Sequence, residues 1–292
     1  MDHYKINLFV IGASKCGSTY LHNLLCQHPH ICMSAVKEPW FFSAEDYEQK
    51  MEWYLSLFEH HDGEKYAGES SPIYSETTYF PEIPQRIYRF NPNAKLIYIV
   101  REPFSRLESV YKQTMSTGHW AEKKFYHMLM PTKYSEAVFS YPPYLEATKY
   151  WTHIQSYLRF FSKNQIHVIM FDDLIHDTQA TLHKITEFLD LPAAEFDIET
   201  ASRNESAGKK LYNKHYHRVK KLLPGSIKNS IPQALKVRLR IKMQALSSDV
   251  PKKPVLTETD RQKIKDILTP EVRELYAYLG VEDDPWNFFG ES

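Results

Sequence analysis

A glycine-bounded loop near the N-terminus combines one lysine with several hydroxyl residues. The loop reads Gly12-Ala13-Ser14-Lys15-Cys16-Gly17-Ser18-Thr19 and stands between a short apolar run and a helical pattern. Unpaired backbone N–H groups and the dipole at the start of a helix attract anions. Lys15 adds a positive charge, and Ser18 and Thr19 add hydroxyl donors. An ordinary turn between a strand and a helix would need none of these groups, so the loop predicts a phosphate site.

The order of residues departs from that of the loop that binds nucleoside triphosphates. In that loop a lysine follows the second glycine directly, whereas here Ser18 follows it and Lys15 lies inside the loop. A carboxylate for Mg²⁺ is not evident either, since Asp172 and Asp173 follow a strand that we expect to lie far from the loop. A P-loop kinase or NTPase is therefore a weaker hypothesis, and a noncatalytic nucleotide-binding module is a third.

A second group of anion-binding side chains occurs in the stretch Arg-Glu-Pro-Phe-Ser-Arg-Leu-Glu-Ser at 101–109. Arg101 ends an apolar run, and Ser109 lies eight residues later in a helical pattern. Ligands of open α/β sheets collect at the carboxyl ends of strands, and arginine donates two parallel hydrogen bonds to a phosphate. The alternative is a surface ion pair of Arg101 with Glu102 or Glu108. Together with the first loop, this motif predicts a ligand with two separate phosphate groups.

Strand and helix patterns alternate along the chain. Short apolar runs predict buried parallel strands at 7–11, 94–100 and 165–171. Apolar residues at helical spacing follow each run, over 18–27, from Pro103 to about 116, and over about 177–190. We therefore predict an α/β fold, a single P-loop-like domain with a central, mostly parallel sheet flanked by helices.

The whole chain, residues 1–292, is predicted to form one domain. The irregular, aromatic-rich segment 117–145 is typical of an insertion or lid. Residues 220–292 are expected to be a C-terminal helical part. The end of this part predicts two short helices. The first would begin at Thr257, with Asp260 in capping-box position, and the second would begin at Thr269-Pro270 and end at Gly280.

The composition argues against several classes of binding partner. Lys+Arg and Asp+Glu both number 36, so no global basic field favours nucleic acid. No apolar run is long enough for stable membrane insertion. The odd, small number of cysteines, three, does not suit a disulfide framework and predicts a cytoplasmic location. No histidine pair joins a cysteine or carboxylate cluster at metal-ligand spacing, so no metal is expected.

Several motifs, in their order along the chain, resemble one known family. The stretch Ser-Lys-Cys-Gly-Ser-Thr-Tyr-Leu at 14–21 resembles the 5′-phosphosulfate loop of sulfotransferases that use 3′-phosphoadenylyl sulfate (PAPS), and 101–109 resembles their 3′-phosphate motif. Val-Lys-Glu-Pro-Trp-Phe-Phe at 36–42 is similar to a segment of the carbohydrate and heparan-type branch, and 168–191 is similar to a stretch further downstream in the superfamily. The resemblance covers about 7–210.

The resemblance implies roles for individual residues. Lys15 would contact the bridging oxygen and the transferring sulfuryl group, and Glu38 would be the general base. PAPS, and its product adenosine 3′,5′-bisphosphate (PAP), would be bound without a metal. The implied contacts are Gly17, Ser18 and Thr19 at the 5′-phosphate, Ser14 and Cys16 in the same loop, Arg101 and Ser109 at the 3′-phosphate, and Gly208, Lys209 and Lys210 in a closing loop.

Some of these roles have alternatives, and the family pattern is incomplete. Glu38 could be a structural carboxylate, with His28 or His119 as the base. Cys16 is either a small filler in a crowded loop or a reactive thiol, if the helix start lowers its pKa. Heparan-type enzymes often carry a lysine before a Thr/Ser-Pro pair, where this chain has Glu-Ser-Ser-Pro at 69–72. No clear copy of the C-terminal Arg-Lys-Gly motif of arylsulfotransferases is present.

The acceptor is expected to be a carbohydrate or a small-molecule alcohol, sulfated on a hydroxyl or an amine. The aromatic segment 117–145 predicts the acceptor side of the molecule, with His119, Trp120 and Tyr144 as candidate pocket residues.

Overall fold

Five strands form one parallel sheet in the part of the chain that the structure describes. The structure is a computed structural model, and it describes residues 6–117, 134–140, 144–199 and 255–290. The strands are β1 (Leu8–Gly12), β2 (Ile31–Met33), β3 (Tyr66–Ser70), β4 (Lys95–Val100) and β5 (Ile166–Met170), in the order β2-β3-β1-β4-β5. Every neighbouring pair of these strands is parallel. The predicted α/β fold with a parallel sheet is confirmed.

Helices connect the strands and cover the sheet. In chain order they are α1 (Ser18–Leu25), α2 (Met51–Ser56), α3 (Ile83–Phe90), α4 (Pro103–Thr117), α5 (Tyr134–Ser140), α6 (Tyr150–Leu158), α7 (Phe171–His176), α8 (Thr178–Phe188) and α9 (Glu258–Leu279). Both segments predicted to bind phosphate lie between a strand and a helix, since α1 follows β1 and α4 follows β4. Pro103 is the first residue of α4, where its fixed φ and missing N–H are tolerated.

β1 lies at the centre of the sheet, and all of its residues are buried. Its neighbours are β3 on one side and β4 on the other. A continuous apolar run of this kind suits a parallel strand that is covered on both faces. Parallel strands end at the same edge of a sheet. The segments that follow Gly12, Ser70 and Val100 are therefore neighbours, with the loop after β1 in the middle.

Two strands were not predicted, because neither carries a clear apolar run. β2 has only three residues. β3 reads Tyr-Ala-Gly-Glu-Ser, and all five of its residues are buried although they include a glutamate and a serine. Gly68 allows close packing there, since a Cβ would lie 3.0 Å from both Leu8 Cβ and Met33 Sδ.

The prediction of two short C-terminal helices is wrong. A single helix, α9, runs through Pro270. Its predicted ends are correct, with a capping box between Thr257 and Asp260 and a left-handed Gly280 at φ 68°. An interior proline costs a helix about 3 kcal/mol, but apolar residues on both sides of Pro270 are buried on one face: Ile264, Leu268, Val272, Leu275 and Tyr276. This continuous packing offsets the cost.

The rest of the predicted domain organisation stays a prediction. Most of the insertion or lid at 117–145, and residues 220–254 of the C-terminal part, lie outside the described residues. Within the described ranges, no helix combines the length and apolarity that crossing a membrane requires.

Candidate active site

The loop after β1 needs glycine at positions 12 and 17, because neighbouring residues approach its backbone closely. Gly17 precedes α1 with φ 89° and ψ 13°, a left-handed conformation that side chains rarely adopt. A Cβ at position 17 would lie 2.9 Å from Cδ2 of Phe171, the first residue of α7. A Cβ on Gly12 would lie 2.3 Å from Oγ of Ser75. Because Gly17 has no side chain to cap α1, the first N–H groups of α1 are donors for an anion.

Arg106 holds the loop from inside the protein. Its side chain is 1% exposed. Nε donates to the Ser14 carbonyl at 3.0 Å, and Nη1 donates to the Tyr144 carbonyl at 3.1 Å and to Thr148 Oγ1 at 2.7 Å. A buried guanidinium thus fixes the loop backbone and places a positive charge beneath it. The sequence pattern does not predict this role, although Arg106 lies within the motif 101–109.

Arg101 connects the two predicted phosphate sites. It follows β4 directly, and its Nη1 donates to the backbone carbonyl of Lys15 at 3.2 Å. The guanidinium lies over the ring of Phe171, 4.4 Å from its centroid. The same Phe171 ring is the neighbour that excludes a side chain at Gly17. The loop, Arg101 and Phe171 therefore form one continuous surface at the carboxyl ends of β1, β4 and β5.

The predicted alternative, an ion pair of Arg101 with Glu102 or Glu108, is not found among the described residues. The Glu102 carboxylate accepts from the N–H groups of Phe104 at 2.8 Å and Ser105 at 2.6 Å. It therefore caps α4. Glu108 pairs with Lys112 one turn further along the same helix.

Lys15 lies against the face of α4 that carries Ser109. Its Nζ is 3.4 Å from Gln113 Oε1, and Gln113 lies one turn beyond Ser109, which is half-buried. The φ of Lys15 is 70°, so the backbone turns sharply at this residue. Lys15 of the loop and Ser109 of the motif 101–109 thus lie on the same side of the sheet.

Cys16 is part of the packing of the loop. Its thiol is fully buried, 3.7 Å from the Ser14 carbonyl and 3.8 Å from Tyr150 Oη. Burial raises the pKa of this thiol, against the opposing effect of Arg106. The alternative of a reactive thiol is therefore wrong, and the filler interpretation is supported. Because the side chain is enclosed, it does not face a ligand of the loop.

Glu38 lies on the other side of the loop from Arg101. Its N–H donates to the Ser70 carbonyl, at the end of β3, at 3.1 Å. The carboxylate accepts a hydrogen bond from Lys37 Nζ at 2.6 Å, and the side chain is 37% exposed. Since β3 is the neighbour of β1 opposite to β4, a ligand on the loop would meet Arg101 on one side and Glu38 on the other.

His22 and Ser70 form a buried pair next to Glu38 that the sequence analysis missed. His22 Nδ1 is 3.0 Å from Ser70 Oγ. Burial lowers the pKa of His22 to about 4, with a further contribution from Lys37 that Glu38 opposes. His22 is therefore neutral near pH 7. The pair lies at the carboxyl end of β3, where the family resemblance suggested a lysine.

His28 does not fit the role of a general base. It follows α1 at the end away from the loop. Its Nε2 is bonded to the Pro192 carbonyl at 3.1 Å, and its Nδ1 accepts from the His30 N–H at 3.1 Å. Both ring nitrogens are thus used in the structure. The other alternative, His119, lies outside the described residues, as do Trp120, Gly208, Lys209 and Lys210.

Tyr144 helps to support the loop after β1 and does not line a pocket. Its side chain is fully buried, and its carbonyl accepts the hydrogen bond from Arg106. The predicted acceptor-pocket role would need an exposed face of the ring, which Tyr144 does not present in this structure.

β5, the strand that precedes Asp172 and Asp173, is separated from β1 by β4, as the sequence predicts. Both residues follow Phe171, whose ring lies against Gly17. Asp172 is half-buried and Asp173 is exposed. Within the described ranges, no ion pair joins either carboxylate to Lys15 or Arg101. The kinase hypothesis is therefore weakened mainly by the position of the lysine.

Comparison with known proteins decides between the families. A family model described as a sulfotransferase domain matches residues 5–275. The chain is a member of the sulfotransferase family. The motif resemblance to this family is confirmed over nearly the whole chain.

This sulfotransferase is similar to heparan-type enzymes. Heparan sulfate glucosamine 3-O-sulfotransferase 5 of Homo sapiens is 30% identical over 186 residues, which cover 63% of this chain and 53% of that protein. Bifunctional heparan sulfate N-deacetylase/N-sulfotransferase 1 of Caenorhabditis briggsae is 28% identical over 223 residues, which cover 68% of this chain and 24% of that protein. The chain spans about half the length of the first relative and about a quarter of the second.

A solved structure supports the fold. The crystal structure of a sulfotransferase from Alicyclobacillus acidocaldarius has a TM-score of 0.63, with 20% identity, and the match covers 97% of this chain and 99% of that chain. At this identity the likeness concerns the fold alone.

Proposed function

We propose that this sulfotransferase moves the sulfuryl group of PAPS to a hydroxyl or an amine of an acceptor and releases PAP. The observation that carries the proposal is the hydrogen bond from Arg101 Nη1 to the Lys15 carbonyl, at 3.2 Å. It joins the glycine loop and the arginine into one anion-binding surface. A nucleotide with one 5′ and one 3′ phosphate suits such a surface, whereas a nucleoside triphosphate has no 3′ charge for Arg101.

The loop and α4 would divide the donor between them. The N–H groups and hydroxyls of Gly17, Ser18 and Thr19 would hold the 5′-phosphate, in a loop whose close approach to Phe171 leaves no room for a Cβ at position 17. Arg101 and Ser109 would hold the 3′-phosphate. The Phe171 ring beneath Arg101 limits the positions that the guanidinium can take.

Lys15 would stabilise the leaving group. Sulfuryl transfer resembles phosphoryl transfer, an in-line displacement in which charge develops on the leaving phosphate and the equatorial oxygens. A cation positioned beforehand at that charge lowers the barrier, because little reorganisation is then needed during the reaction. The contact with Gln113 at 3.4 Å holds the ammonium beside α4.

Glu38 would accept the proton of the acceptor group. A general base must come within hydrogen-bond reach of that proton. The Glu38 side chain is 37% exposed, and the contact with Lys37 uses only Oε1 in the described structure. In this proposal the other carboxylate oxygen meets an acceptor that enters beside β3.

The acceptor class is proposed from the relatives. Two of them are named as acting on heparan sulfate, one as a 3-O-sulfotransferase and one as an N-sulfotransferase. A carbohydrate hydroxyl or amine is accordingly the first candidate, and a small-molecule alcohol is the second. The cytoplasmic location stays a prediction, which microscopy of the tagged full-length protein would test.

A transfer assay tests the proposed function. PAPS labelled in its sulfuryl group is incubated with heparan-derived oligosaccharides and with a set of small alcohols, in buffer with a metal chelator. The label should move to at least one acceptor, and Lys15→Ala should lower kcat by about 10³-fold or more. No transfer to any acceptor, together with Mg²⁺-dependent phosphoryl transfer from ATP, would support the kinase hypothesis instead.

A further inference from the structure

A buried carboxylate lies behind the segment that carries Glu38. Glu69, in β3, is fully buried. Its Oε1 accepts from the hydroxyls of Tyr54 and Tyr74, both at 2.8 Å, and its Oε2 accepts from Ser71 Oγ at 2.6 Å. A buried carboxylate requires such bonds. All three donors are thus oriented by one residue.

Two of these hydroxyls in turn hold the backbone that follows Glu38. The N–H of Trp40 donates to Ser71 Oγ at 3.3 Å, and the N–H of Phe42 donates to Tyr74 Oη at 3.2 Å. A hydroxyl has a single proton. Because each hydroxyl accepts from the backbone, its own proton is directed to Glu69.

Tyr54, the third residue that donates to Glu69, holds Phe41, which lies between Trp40 and Phe42. The ring of Phe41 stacks on that of Tyr54, with the centroids 3.9 Å apart and an angle of 3° between the planes. Tyr54 also donates to Glu69. Three consecutive residues, 40–42, are therefore fixed through three side chains that share Glu69.

The backbone of this segment needs such support. Glu38 has φ 58° and Trp40 has φ 55°, values that cost residues other than glycine about 1 kcal/mol or more each. Glu38 also precedes a proline, which restricts its backbone further. A conformation of this kind persists only where the surroundings hold it from several sides.

We propose that Glu69 is a positioning residue for catalysis, which keeps the Glu38 carboxylate at the acceptor through Ser71, Tyr74 and Tyr54. The inference rests on the proposed function of Glu38 as the base. Glu69 is buried and touches neither donor nor acceptor, so its effect reaches the reaction only through the 38–42 segment.

Both carboxylate oxygens of Glu69 must accept hydrogen bonds. Burial raises the pKa of Glu69 to about 7, against the opposing effects of the three hydroxyl donors and of Lys37, so both oxygens accept hydrogen bonds above about pH 7, where the activities are compared. Glutamine has nearly the same shape but has an NH₂ group in place of one oxygen. In Glu69→Gln one hydroxyl would therefore face a donor, lose its orientation and release its backbone contact.

The test compares one substitution at position 69 and one at position 38 with a control substitution of the same type. Glu187→Gln is the control, because this exposed glutamate of α8 pairs with His183 and belongs neither to the 38–42 segment nor to its supports. Glu69→Gln should lower kcat by about 10-fold or more and leave the KM for PAPS and the Kd for PAP within about twofold. Glu187→Gln should keep kcat within about twofold.

The decisive measurement is made in the Glu38→Gln background. If Glu69 acts through Glu38, the double variant Glu38→Gln/Glu69→Gln should have the kcat of Glu38→Gln within about twofold. The inference is overturned if Glu69→Gln keeps the wild-type kcat, if it lowers kcat equally in both backgrounds, or if Glu38→Gln itself has no effect. If Glu69→Gln does not fold, Ser71→Ala removes a single link and is tested against the same outcomes. Failure of the proposed function is seen separately, since the wild-type protein would then transfer no sulfuryl group.

Discussion

The guanidinium of Arg101 is bonded to the backbone carbonyl of Lys15, with 3.2 Å between Nη1 and the oxygen. The residue that ends β4 is thereby tied to the loop that follows β1. A guanidinium has five N–H donors, so one bond to a carbonyl leaves others for a phosphate. This contact makes two motifs that are far apart in sequence parts of one binding surface.

Arg101→Ala should weaken donor binding more than it slows the chemical step. The substitution removes a bidentate phosphate donor and the contact that holds the Lys15 carbonyl. We expect the Kd for PAP and the KM for PAPS to rise by about 10- to 100-fold, since charged hydrogen bonds contribute about 1.5–3 kcal/mol. Isothermal titration of PAP and steady-state kinetics measure both effects. A variant with a normal KM and a lower kcat would show that Arg101 acts on the transferring group.

Gly17→Ala should strongly weaken donor binding, and Gly63→Ala is its matched control. Both glycines have positive φ, 89° and 92°, but a Cβ at position 63 would meet nothing within 4 Å, whereas at position 17 it would meet Phe171. Each alanine carries the conformational cost of about 1 kcal/mol. The first variant alone disturbs the cradle. Titration of PAP should show wild-type affinity for Gly63→Ala and at least about 100-fold weaker binding for Gly17→Ala. Equal affinities would contradict the role of the loop.

Arg106→Met should destabilise the protein. The substitution leaves the Ser14 and Tyr144 carbonyls without their guanidinium donor. Loss of these buried hydrogen bonds should lower the free energy of unfolding by about 3 kcal/mol, measured by urea denaturation. Arg89→Met, at an exposed position of α3, should change it by less than about 0.5 kcal/mol. If the two variants were equally stable, Arg106 would not be a support of the loop.

His153 should make the stability depend on pH. Burial lowers the pKa of His153 to about 4 in the folded protein, from 6.5. Between these values the unfolded chain binds more protons, so the free energy of unfolding rises with pH. From pH 5 to pH 7.5 this one group contributes a gain of about 2 kcal/mol, which His153→Gln should remove. Urea denaturation at both pH values checks this. His183→Gln, at an exposed histidine, should keep the full gain, and an unchanged gain in His153→Gln would contradict the assignment.

The surface proposed to bind phosphate could be predicted from sequence because its signals are local. The glycine loop and Arg101 each follow an apolar run, and in a parallel sheet the ends of such runs meet at one edge. The residues behind this surface were not predicted. Arg106 and His22 are polar side chains on helices, and only the fold shows that both are buried. A sequence pattern assigns such residues to the solvent by default.

β3 and α9 were likewise not predicted correctly, because their form depends on contacts that a sequence pattern does not show. β3 contains a buried glutamate, and the hydroxyls that satisfy it come from Tyr54, Ser71 and Tyr74. Without knowledge of these partners, the stretch does not have the apolar pattern of a central strand. Pro270 predicted the start of a new helix, but the buried face of α9 continues through it. In both places tertiary packing outweighs a local preference.

The most direct test of a PAPS site is a pair of titrations of the wild-type protein. PAP is titrated in the presence of a metal chelator, and ATP is titrated with Mg²⁺, under otherwise identical conditions. The Lys15 loop and Arg101 predict micromolar or tighter binding of PAP without metal, and binding of ATP at least about 100-fold weaker. Tight Mg²⁺-dependent binding of ATP without measurable binding of PAP would contradict the account.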